Sequence, residues 1–125
     1  MDWSSDDEHR LGGNVYREAF RSTGAPVLIA DTNFVIRDVN ASGLQFLGYD
    51  PGDLVGESAA VISGDDRIYE DIVDHLSRGE TWSGKFVAET RSGEKVYGRG
   101  SAAPIVVDGT VEGTVAIFVD TTKQQ

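Results

Sequence analysis

Hydrophobic residues in this chain come in short runs broken by Gly, Asp, Asn and Ser, and their period switches between helical and strand-like along the sequence. Val27 to Ala30 is continuously apolar and stops at Asp31. Asp31-Thr32-Asn33 carries turn chemistry, because short Asp and Asn side chains bond the backbone just after them, and Phe34 to Val39 resumes a β-prone stretch. Asn40 is placed to cap a helix over Ala41 to Leu47 by accepting an otherwise orphaned backbone N–H. Gly48-Tyr49 closes that helix, and Asp50-Pro51 opens another short one with Pro at its first position. Asp65 to Arg78 sets Ile68, Ile72, Val73 and Leu76 on one helical face, and Gly79 ends it. Three strand-like stretches follow, about Trp82 to Thr90, Lys95 to Val106 and Thr110 to Asp120, divided by turns at Ser92-Gly93 and Asp108-Gly109. Upstream, Leu11, Val15 and Ala19 fall at helical spacing within a predicted helix over Glu8 to Ser22, which Gly12-Gly13 weakens near its start.

Five strands, with helices between the second and third, predict an α+β domain built on one antiparallel sheet. The length suits a single core, read as a disordered leader and cap helix over 1–22, a domain over 23–122 and the start of an output linker at 123–125.

The order of short motifs narrows the fold further. An apolar strand ending in Asp31, then Asn40-Ala41, Gly48-Tyr49 and Leu54-Val55-Gly56, are followed by Thr81-Trp82-Ser83-Gly84, Arg91-Ser92-Gly93 and Asp120-Thr121-Thr122. Over residues 15 to 122 this series resembles the PAS domains. The resemblance implies a five-stranded antiparallel sheet that encloses a small pocket against the long helix. It also implies a cytoplasmic sensory module in a larger signalling protein, such as a sensor histidine kinase of a two-component system or a transcription-linked sensor. Asp120, Thr121 and Thr122 would then relay the signal into an output helix and an effector domain of the same polypeptide.

Alternation along the strands, with the inward face taken from the resemblance, points Phe118, Ala116 and Thr114 inward on the last strand, and Ala102, Gly100 and Gly98 inward on its neighbour. Two glycines and two alanines there remove volume from the middle of the core. The expected hollow is bounded by Phe86, Ala88 and Phe118 on the sheet, Leu28 and Ile36 on the first strands, and Ile68, Ile72 and Leu76 on the helix. It suits a small apolar or heteroaromatic ligand, with Thr90, Ser58 and Ser63 as candidates for orienting hydrogen bonds. The competing reading is a filled, dry core in a dimerisation or spacer module. A homodimer would use the leading helix or the outer sheet face near Tyr97.

No cofactor is required by these residues. The light-sensing flavin branch of the family needs a cysteine after the Leu-x-Gly, and the chain has none. The Gln that this branch places in its last strand is matched here by Phe118, so flavin is disfavoured. A haem-binding branch uses a His on the long helix. His75 lies there but falls roughly 90° from the centre of the apolar face, at about 100° per residue, so haem is disfavoured too. His9 sits in the polar leader, and Asp65-Asp66 reads as a helix cap and first turn rather than acid–base machinery. No phosphate loop, Ser-His-Asp set or metal-ligand spacing is present, so no enzyme activity is expected.

Charge excludes one class of partner. The net charge is −10, and only three of the eleven basic residues are Lys, so the surface repels phosphate backbones and direct nucleic-acid binding is not expected. No apolar run approaches the roughly 20 residues of a membrane span. Abundant Asp with scarce Lys fits a salt-adapted, haloarchaeal-type protein, in which ionic strength screens carboxylate repulsion. The melting temperature is therefore expected to rise between low and molar salt, and a flat or falling trend in a thermal scan would count against this reading.

Overall fold

The chain reverses first around a carboxylate. Asp31 Oδ1 accepts from the backbone N–H groups of Asn33 (2.9 Å) and Val35 (3.0 Å), which folds β1, Val27–Ala30, back against β2, Ile36–Val39. The computed structural model describes residues 24–119. The expected leading helix over 8–22 and the relay residues Asp120, Thr121 and Thr122 lie outside the described residues. Strand β2 begins two residues later than predicted, because Phe34 takes a left-handed backbone (φ 62°) that a strand cannot contain.

The N–H of Val35, then that of Asn33 and the charge of Arg37, hold the Asp31 carboxyl below its ordinary range against the opposing effect of partial burial. A carboxyl lowered in the folded state contributes stability above its unfolded pKa and loses it as pH falls through the folded value. Asp31→Ala is therefore expected to melt earlier than the parent at neutral pH. The gap between the two should close on acidification below about 4, as followed by circular dichroism.

Helix α1, Ala41–Leu47, starts at Asn40 as predicted, and Gly48 (φ 78°) ends it. Asn40 is 1% exposed and all its polar atoms are engaged. Oδ1 accepts from Gly43 N–H (2.8 Å) and Val27 N–H (3.0 Å), while Nδ2 donates to the Ala25 carbonyl (2.9 Å). One side chain thus caps the helix and fastens it to β1. A short helix α2, Pro51–Leu54, and an unpredicted 3₁₀ turn, Ala59–Ile62, lead to α3, Asp66–Ser77. Asp65 caps α3 by accepting from Arg67 and Ile68 N–H groups at 2.9 and 3.1 Å.

Strands β3 (Trp82–Glu89), β4 (Lys95–Val107) and β5 (Thr110–Val119) complete a five-stranded antiparallel sheet in the order β2-β1-β5-β4-β3. The β4–β5 hairpin turns through Asp108 (φ 51°) and Gly109 (φ 80°), and two successive positive values match the right-handed twist of the flanking strands. This is an α+β fold, as the strand and helix pattern predicts. Leu28, Ala30, Ile36, Leu47, Leu54, Ala88 and Phe118 form the buried core between the inner sheet face and the helices.

Candidate functional site

Alternation along β4 and β5 holds through the centre of the sheet. Gly98 and Ala102, with Thr114 and Phe118, are buried, whereas Tyr97, Arg99, Ser101, Ile117 and Val119 are exposed on the opposite face. Registered pairs place Ala102 beside Ala116 and Gly100 beside Phe118, so small residues do meet on neighbouring inner strands.

An apolar cavity of about 90 Å³ lies against them. Of the residues expected from the sequence, Leu28, Phe86, Ala88, Gly100, Ala102, Ala116 and Phe118 line it from the sheet, and Ile72 and Leu76 from α3. Four expected residues do not line it. Ile36 is fully buried in the core cluster with Leu54. Ile68 is half-buried one turn away, because the helix turns Tyr69, Ile72 and Leu76 toward the cavity instead. Thr90 lies in the β3–β4 turn, its hydroxyl 3.0 Å from Ser92 Oγ and accepting from Glu94 N–H. The volume left open at Gly98 is taken up by its neighbours. A Cβ there would collide with the Val119 carbonyl and come within 2.8 Å of the Phe118 ring.

Aromatic rings thus occupy part of the space that small residues leave. Phe118 stacks on Phe46 of α1 with centroids 5.0 Å apart and meets Phe86 edge-on at 5.8 Å. Trp82, a wall residue the sequence reading left out, meets Phe86 at 6.5 Å and donates its indole N–H to Asp71 Oδ2 at 3.0 Å, tying β3 to α3.

The polar candidates resolve differently from expectation. Ser58 Oγ accepts from Ala60 N–H, and Ser63 Oγ bonds the backbone of Asp65, so both serve local turns. Thr114 is the buried hydroxyl at the cavity. It donates to the Ala103 carbonyl (3.2 Å), which leaves an oxygen lone pair for a guest. His75 is not part of the lining. Its Nδ1 is 2.8 Å from the Asp71 carbonyl on its own helix. Among the described residues, no buried side-chain polar atom lacks a partner, no group of three His, Asp or Glu is arranged to hold a metal, and no helix is long and apolar enough to cross a membrane. The wall is therefore mainly apolar, with Thr114 as its buried hydroxyl, and it can take a neutral molecule by shape and burial.

This sheet, its helical cover and the hollow between them make a single-sheet α+β module with an apolar interior. The family model of the PAS domain matches residues 24–123, and the chain belongs to that family. Solved structures agree on the fold. The chain is similar to a PAS domain of a protein from Colwellia psychrerythraea, with a TM-score of 0.79, 18% identity and coverage of 88% of this chain and 97% of that one. It is similar to the PAS domain of an HTR-like protein from Haloarcula marismortui, with a TM-score of 0.71, 22% identity and coverage of 94% and 99%. It is also similar to a PAS domain, in complex with ethanol, of a LuxR-family transcriptional regulator from Burkholderia thailandensis, with a TM-score of 0.68, 18% identity and coverage of 86% and 97%.

Proposed function

We propose that this PAS domain is a non-enzymatic chemical sensor whose inner cavity takes up a small, neutral, mainly apolar molecule. The observation that carries the reading is the apolar hollow of about 90 Å³ set between α3 and β5. Engineered apolar voids of about 150 Å³ hold benzene, so this one suits a guest of a few heavy atoms, and a heteroaromatic ring requires the Phe46 and Phe118 rings to part. The ethanol complex of a structural relative supports that size class. Four non-hydrogen atoms at a ceiling of about 1.5 kcal/mol each give about 6 kcal/mol at most, so dissociation constants between tens of micromolar and millimolar are expected.

A guest touching Ala116 and Phe118 presses on β5, whose chain continues into Asp120-Thr121-Thr122. Binding then shifts the population between two packings of sheet and helix, within the limit set by the ligand's differential affinity for them. The relay leads to an effector domain of the same cytoplasmic polypeptide, of histidine-kinase or transcription-linked type. The salt-adapted character follows from the acidic surface and is supported by the Haloarcula relative.

Titration of the labelled protein with ethanol and n-propanol tests the reading. Amide shifts should centre on Ala102, Thr114 and Ala116 and vanish in Ala116→Leu. Shifts scattered over the surface, or unchanged by that substitution, would refute it. A second reading rests on the outer sheet face, where Tyr97 (62% exposed), Ile117 and Val119 form an apolar patch fit for a homodimer. Sedimentation with and without residues 1–22 separates a dimer built on the leading segment from one built on this face.

A further inference from the structure

Phe34, Leu76 and Thr114 line the inner cavity and also line an open groove on the surface. That groove runs between the β1–β2 turn at Asp31 and Thr32, the end of α3 at Ser77 and Gly79, and the base of the β4–β5 hairpin at Pro104 and Val111. Residues that border both spaces lie where the two meet.

The three differ in how firmly they are held. Leu76 is buried on α3, and Thr114 is paired with Pro104 inside the sheet and hydrogen-bonded to Ala103. Phe34 sits on a turn outside any strand, and among the described residues it makes no ring–ring contact. Its left-handed backbone (φ 62°) is disfavoured for a bulky side chain. The turn holds it there through Phe34 N–H to the Asp31 carbonyl (2.9 Å) and Ala59 N–H to the Phe34 carbonyl (2.8 Å). Phe34 is thus a backbone outlier that the turn holds in place, with a large side chain at the cavity wall.

The geometry points to Phe34 as the door of the cavity. A guest passes from the surface groove to the interior when the Phe34 side chain swings aside, and the Phe34–Leu76–Thr114 gap sets the size of molecule admitted. The opposite wall is less suited to opening. Pro26, Phe46 and Phe118 separate the cavity from a second groove, and parting them breaks the 5.0 Å stack of Phe46 on Phe118, which is itself braced by Phe86.

The inference rests on the cavity accepting a guest, and xenon tests the two separately. Exchange of xenon with the full chain is followed by ¹²⁹Xe NMR in the parent, in Phe34→Gly, whose backbone favours the left-handed turn, and in Phe46→Leu. Phe34→Gly is expected to raise the on-rate by about tenfold, and Phe46→Leu, which removes the stack on Phe118 and loosens the other wall, to raise it by less. An unchanged on-rate in Phe34→Gly, or a larger acceleration in Phe46→Leu than in Phe34→Gly, would each overturn the door. Absence of bound xenon in every variant would remove the cavity reading, and the door with it.

Discussion

Asn40→Ala is expected to lower the unfolding free energy by about 2–4 kcal/mol, combining a lost helix cap of about 1 kcal/mol with roughly 1–3 kcal/mol for the buried Val27 N–H left unsatisfied. The side chain is 1% exposed, and it engages the N–H groups of Val27 and Gly43 and the carbonyl of Ala25. Its removal strands groups on two elements at once, the first turn of α1 and the start of β1. Asn40→Asp separates the contributions. The carboxylate still accepts from both N–H groups but places a charged oxygen against the Ala25 carbonyl. Its loss should fall between parent and alanine at neutral pH and shrink when protonation restores a donor. Urea midpoints at unchanged m measure all three proteins. An alanine variant within about 1 kcal/mol of the parent would show that water replaces the side chain and that α1 is held by packing alone.

Phe118→Ala is expected to cost about 3–5 kcal/mol and to enlarge the cavity rather than collapse it. Phe118 is 7% exposed, stacks on Phe46, meets Phe86 edge-on and covers the gap at Gly98. Filling the gap from β4 would require backbone movement, because Gly98 and Gly100 have no side chains to swing inward. The void should therefore grow from about 90 Å³ past the roughly 150 Å³ at which an apolar cavity takes up benzene. Benzene should raise the melting temperature of Phe118→Ala clearly more than that of the parent. Equal shifts would mean that Phe46 and Phe86 close over the gap.

The alternation of β4 and β5 was legible because a period of two needs only one anchor residue, and the inward set from Gly98 to Ala102 and Thr114 to Phe118 follows from it. The same count from Phe86 also turns Trp82 inward, so that wall residue carried a signal that went unused. What sequence patterns do not carry is which ring fills which gap. Small residues at 98 and 100 imply a hollow, yet the Phe118 ring and the Val119 carbonyl close over Gly98, and Phe46 arrives from a helix that Asn40 fastens to β1. Ser58, Ser63 and Thr90 misled for a local reason: short hydroxyl side chains near turns bond their own backbone before they serve a ligand. Phe34 is β-prone, and the Asp31 turn overrides that preference.

The measurement that bears most directly on the account is a crystal structure under xenon pressure. A xenon atom should lie inside the sheet–helix interior, within van der Waals reach of Ala102, Ala116, Leu76 and Phe118. An interior with no bound atom, and with those four side chains in mutual contact, would contradict it.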